Sequence, residues 1–182
     1  MLEWNVRILL FTNNLDEGRF QPNKFKILRK GSCFLEVDLR FSSLDSGLEY
    51  VSEVCDVVEL CIFNRGESLP LNSLEEIKNG INEGFYAMSE EKYWIAHEIF
   101  EDYWKHYKDD RSKFFHGIVL LCVSMVHFQM QHQANAMRIF EDAKSEMIRF
   151  LEDSFDWEFS YPLGPNILNE IRQRSQSLPL VA

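Results

Sequence analysis

Residues Arg111 to Met130, RSKFFHGIVLLCVSMVHFQM, constrain this chain more than any other stretch. Phe114, Phe115, Ile118, Val119, Leu120, Leu121, Cys122, Val123, Met125, Val126 and Phe128 place apolar groups almost all round a helix. A helix without a polar face is a central, buried one. At roughly 20 residues it also has the length of a membrane span. Arg111, Lys113, His116 and His127 argue against that, because charged and polar groups inside a span are costly. The rest of the chain therefore reads as arranged around this rod.

The segment before it is a second helix. Ala96, Ile99, Phe100, Tyr103 and Tyr107 recur with a helical period. His97, Glu101 and Trp104 form a neighbouring stripe, since residues three and four apart lie one above the other. Glu98, Asp102 and Lys105 form the more polar side. Asp109 and Asp110 supply the start signal for the rod. Further back, Ser73 and Glu76 make a capping box for a helix through Ile77, Ile81 and Phe85 to about Met88. Ser89 is read as the cap of the helix carrying His97. After the rod, a turn near Gln131 to Gln133 leads to a helix through Met137, Ile139, Phe140, Met147 and Phe150. The expectation is two αα-hairpins. Such a pair resembles a tetratricopeptide arrangement, although the spacing reads as repeating poorly. An aromatic tail follows, with Phe155, Trp157, Phe159 and Tyr161, and Asn166 to Gln176 forms a last helix. The final SLPLVA reads as frayed.

The N-terminal third has a different period. Trp4 to Thr12 is a strand. Phe25 to Leu28 and Cys33 to Phe41 form a hairpin across Arg29-Lys30-Gly31-Ser32. In its second arm Leu35, Val37, Leu39 and Phe41 face one way, while Glu36, Asp38 and Arg40 face the other and imply a wet face. Leu44, Leu48, Val51 and Val54 have helical spacing, and Asp56 to Phe63 is another apolar strand. The fold class is α+β: a small β-rich unit, β-β-β-α-β, then an all-α bundle of two αα-hairpins plus a tail helix. The break at Asn64 to Pro70 separates a unit at 1–65 from a helical domain at 73–182.

His97, Glu98, Glu101 and Trp104 spell His-Glu-x-x-Glu-x-x-Trp. Arg111, Phe114, Gly117 and His127 follow at fixed spacing, then Ala136 and Arg138. This pattern resembles the domain-of-unknown-function family 309, small all-helical prokaryotic proteins, over about residues 77–151. The resemblance implies a helical core and an uncharacterised function. His116 and Leu120 stand where the family has Gln, and Gln131 and His132 stand where it has a Gly-Asn turn.

Seven residues are the candidate site: His97, Glu98, Glu101, Trp104, Arg111, His116 and His127. His116 and His127 share a stripe of the rod, three turns apart. If that stripe meets His97 and Glu101, imidazoles and a carboxylate gather between helices, as in bundle metal sites or a general base. His97, Glu101 and His127 are the candidates for catalysis or metal, and no cofactor is named by the sequence. The preferred reading is structural, because a buried imidazole needs a hydrogen-bond partner and Glu101 lies one turn away. Arg111 then pairs with Glu98 or Glu101. The expected function is a non-enzymatic binding or interaction module, with a small hydrolase as the alternative.

Net charge bounds the partners. At −10, the chain lacks the Lys/Arg clusters that nucleic acid or an anionic membrane surface requires. Cys33, Cys55, Cys61 and Cys122 show no paired spacing and read as cytoplasmic thiols. A protein partner or a homodimer, through the sheet or the aromatic tail, remains open.

Overall fold

The computed structural model of the chain describes residues 6–12, 25–32, 34–54, 59–64, 73–151, 157 and 159–180. The chain divides into two compact units, Met1–Glu67 and Ser68–Ala182.

The first unit has the expected order: β1 (Val6–Thr12), β2 (Phe25–Lys30), β3 (Leu35–Phe41), α1 (Leu44–Val54) and β4 (Glu59–Asn64). The four strands form one antiparallel sheet, ordered β2-β3-β1-β4. Helix α1 lies on the face made by Ile8, Leu10, Val37, Leu39 and Phe41. Gly47 permits this, since a Cβ there would stand 2.6 Å from Ile8 Cδ1. The opposite face departs from the wet-face expectation. Glu36 and Asp38 are buried, and only Arg40 stays exposed. Alternation marks which residues share a face but not whether that face is covered. Here Glu36 is neutralised by the buried Arg29 guanidinium across the β2–β3 ladder, which is how a sheet can bury a carboxylate. Expectations for Trp4, Asn13 to Pro22, Cys33, Asp56 to Val58 and most of the Asn64 to Pro70 break lie outside the described residues.

The second unit is α2 (Leu74–Ser89), α3 (Tyr93–His106), α4 (Asp110–Gln129), α5 (Gln133–Met147), a 3₁₀ turn at Ile148–Phe150, and α6 (Pro165–Ser177). Ser73 caps α2 as expected, its Oγ accepting from the Glu76 N–H. Neighbouring helices run in the order α6, α2, α3, α4, α5. Helix α4 is long and apolar enough to cross a membrane by composition, yet Phe114, Phe115, Ile118, Leu121, Cys122 and Met125 are all fully buried within the helical unit. Each such side chain contributes about 1.5–3 kcal/mol on burial.

Both hairpin turns are built alike. Lys92 N–H donates to Ala87 O at 2.9 Å and Glu91 N–H to Met88 O at 3.1 Å. His132 N–H donates to His127 O at 2.9 Å and Gln131 N–H to Phe128 O at 2.8 Å. These are Schellman closures, with Glu91 (φ 59°) and Gln131 (φ 63°) in the left-handed position. Ser89 is accordingly the last residue of α2, donating back to Tyr86 O, and does not cap α3 as expected.

The turns also correct the expectation of a poor repeat. They lie 40 residues apart, from Glu91 to Gln131. The same offset lays Ile99-Phe100-Glu101-Asp102 on Ile139-Phe140-Glu141-Asp142, and the buried Ala96 on the buried Ala136. The second unit is a tandem pair of helical hairpins. Pairwise differences such as Trp104 against Lys144 hide the repeat when only consensus positions are sought.

Within the second hairpin α4 and α5 approach closely. A Cβ at Gly117 would stand 2.3 Å from Met147 Cγ and 3.3 Å from Ala143 O. Ser124 Oγ donates to Ala136 O at 2.6 Å on the same side. The aromatic tail covers the other hairpin edge. Tyr161 stacks on Phe128 with ring centres 4.7 Å apart, and Phe159 meets Phe140 edge-on at 5.1 Å. The C-terminal segment is tied, not frayed, through Leu180. Tyr107 Oη donates to Leu180 O at 2.8 Å, and Arg111 donates to Pro179 O.

Candidate functional site

Helix α4 is not uniformly buried. Lys113, His116, Leu120, Val123 and His127 fall at spacings of three and four and form a solvent-touching stripe along it. On α3 the half-buried stripe is Trp94, His97, Glu98, Glu101 and Trp104. Six of the seven candidate residues, all but Arg111, therefore lie in this partly exposed layer of the helical unit.

Two imidazoles in that layer are held in the same manner. His97 stacks on Trp94, ring centres 4.8 Å apart and planes 11° apart, and its Nδ1 lies 3.1 Å from Glu98 Oε1. His116 packs on Trp104 with ring centres 4.5 Å apart but planes tilted by 32°, and its Nδ1 lies 3.7 Å from Glu146 Oε1. The second distance is an ion-pair separation, longer than a hydrogen bond. In each case an indole packs against the ring and a carboxylate lies near one nitrogen. The side chains of His97 and His116 are 14% and 30% exposed, so water and ligands still reach them.

The expected convergence of His97, Glu101, His116 and His127 does not form. Glu101 is held by Lys105 at 2.9 Å, one turn on, and raises the pKa of that ammonium. His97 turns to the adjacent Glu98 instead. Among the described residues, no three His, Cys, Asp or Glu side chains are grouped to hold a metal ion. Arg111 also departs from expectation. It pairs with Asp109, stacks its guanidinium 4.3 Å above the Tyr107 ring and bonds Pro179 O. Asp109 is two residues away and already at the helix start, so it wins over Glu98 and Glu101. The guanidinium beside it holds the Asp109 carboxyl below the usual carboxylate range.

His127 stands apart. Its buried Nδ1 has no hydrogen-bond partner among the described residues, and its ring lies 5.7 Å from that of His132. Cys122 is fully enclosed, and burial pushes its thiol pKa up, which keeps it protonated and unreactive. Sequence reasoning missed Trp94 and Glu146. Trp94 was legible, because it sits three residues before His97 on the same helix. Glu146 was not, since only the α4–α5 packing brings it to His116.

Beside Trp104 and His116 a groove of about 610 Å³ runs between α4 and α5. Lys113, His116 and Leu120 line one wall, and Asp142, Glu146 and Arg149 the other. Its lining carries both charges around one apolar side chain. That suits contact with a polar surface or a small ligand.

No curated protein and no solved structure matches the chain. Residues 81–139, which contain all seven candidate residues, match a family model described as Domain of unknown function (DUF309). That segment of the helical unit is thus similar to the family that the His-Glu-x-x-Glu-x-x-Trp pattern resembles.

Proposed function

We propose that the chain is a prokaryotic, cytoplasmic, non-enzymatic binding module. Its helical unit would receive a protein partner or ligand on the layer formed by α3, α4 and α5. The observation that supports this is the pair of Trp–His–carboxylate groupings. Each sets an imidazole against an indole at a partly exposed position, with a carboxylate near one nitrogen, which limits the side-chain entropy lost on contact. Nucleic acid and membranes are not the partners we favour, on the charge argument above. Another copy of the chain is a candidate occupant, tested by sedimentation equilibrium.

The test compares tagged wild type with a Trp104→Ala/His116→Ala variant in cytosol of the source cell, with retained proteins and small molecules identified by mass spectrometry. The expected result is a component retained only by the wild type, with helical content unchanged in the variant. Equal retention by both would overturn the assignment of this face.

The alternative is a small hydrolase using His97, Glu101 and His127, although the fold turns His97 to Glu98 and Glu101 to Lys105 and does not bring the three together. The feature it rests on is the buried Nδ1 of His127, which has no hydrogen-bond partner among the described residues. Trace-metal analysis separates the two readings. Stoichiometric zinc or iron lost in a His127→Ala variant would favour the hydrolase.

A further inference from the structure

A second cavity lies at the α3–α4 corner, where the C-terminal segment crosses it. Its volume is about 730 Å³, within the range of small-molecule sites. Phe150 and Leu178, both half-buried, give it an apolar floor. Lys108, Arg111 and Lys113 line its sides, and the guanidinium of Arg149 stacks 4.6 Å over the Phe150 ring.

The charges do not cancel. Asp109 and Asp110 also line the cavity, but each is already taken, Asp109 by Arg111 at 2.6 Å and Asp110 by Arg149 at 2.8 Å. Among the described residues, Lys108 bonds only a main-chain oxygen, that of Lys105. Lys113 has no hydrogen-bond or ion-pair partner among the described residues, and it borders the neighbouring groove as well. Two ammonium groups therefore line the same cavity as Phe150 and Leu178 with no carboxylate partner among the described residues, in a chain whose net charge is −10. Local cation surplus against a global negative charge favours an anion in that position.

We infer that this cavity binds a small organic anion, a phosphate or carboxylate head on a flat apolar body. The head lies between Lys108 and Lys113, and the body rests on Phe150 and Leu178. Arg111 acts as a positioning residue. It holds Pro179 and stacks on Tyr107, which keeps the C-terminal segment in place as a wall. This site adjoins the α4–α5 groove and shares Lys113 with it, while the rest of its lining is its own.

The experiment is isothermal titration of the full chain with 1-naphthyl phosphate, 1-naphthoate, 1-naphthol and inorganic phosphate. 1-Naphthyl phosphate or 1-naphthoate binds with a submillimolar Kd, and whichever binds more tightly identifies the head group. 1-Naphthol and inorganic phosphate each bind at least tenfold more weakly. In a Lys108→Gln/Lys113→Gln variant, whose substitutions are exposed and leave the fold intact, the anion binds at least tenfold more weakly. Three results would each overturn the inference: neither anion binding at millimolar concentration, 1-naphthol binding as tightly as the anions, or the double variant binding as tightly as the wild type.

Discussion

Gly117→Ala tests the α4–α5 contact on which the groove depends. The added methyl would meet Met147 Cγ at 2.3 Å, Met147 Sδ at 3.1 Å and Ala143 O at 3.3 Å. Met147 is fully buried. Its Cγ lies mid-chain, and the Ala143 oxygen belongs to the backbone of α5. Neither neighbour can simply swing away. Overpacking of this kind costs about 1–3 kcal/mol. Replacing a mid-helix Gly by Ala returns roughly 1 kcal/mol of helix propensity. The net expectation is a loss of about 1 kcal/mol, read by urea denaturation with far-UV circular dichroism. A double-mutant cycle isolates the contact. Met147→Ala alone costs about 2–5 kcal/mol, and the same change in the Gly117→Ala background costs less, because the methyl fills part of the cavity. Their coupling should reach about 1 kcal/mol or more. The same displacement moves His116 away from Glu146, so the His116 imidazole resonances should shift. If Gly117→Ala stabilises the protein by its full propensity gain, with no coupling to Met147, the close approach is not what packs these helices.

Gln131→Gly relieves a left-handed residue and should stabilise by roughly 1 kcal/mol in the same denaturation assay. Glu91→Gly should gain less or lose stability, because the Glu91 carboxylate accepts a 2.7 Å hydrogen bond from Tyr161 Oη. The Asp109 carboxyl has a lowered pKa in the fold, so its contribution is present above the unfolded carboxylate pKa and is lost as pH falls through the folded value. Asp109→Asn retains a good N-cap and should flatten that part of the acid limb in a Tm-versus-pH series. Arg111→Ala releases the bond to Pro179 O and the stack on Tyr107. Amides near Leu178 to Leu180 should then exchange with solvent at least tenfold faster by mass spectrometry, while those of α4 keep their protection.

The structure explains why some parts of this chain were readable and others were not. Helices α2 to α6 follow from apolar period and from Ser73 and Asp109 at helix starts, all local properties of the backbone. The order β-β-β-α-β follows for the same reason. The turn at Ser89 misled because a serine resembles an N-cap, whereas the Schellman closure needs only one residue that tolerates positive φ. Candidate residues were legible by position but not by partner. His97 has acidic residues at positions 98 and 101, and spacing alone does not say that Lys105 has taken Glu101.

What the sequence determined by itself is the set of elements and which residues of each share a face, because period and capping act within a few residues. Tertiary structure decided the rest. It buried Glu36 by supplying Arg29 from the neighbouring strand, brought Glu146 to His116, and gathered Lys108, Lys113 and Phe150 around one cavity whose carboxylates Asp109 and Asp110 pair with Arg111 and Arg149. Each of these depends on the distance between groups far apart in the chain, and only packing fixes that distance.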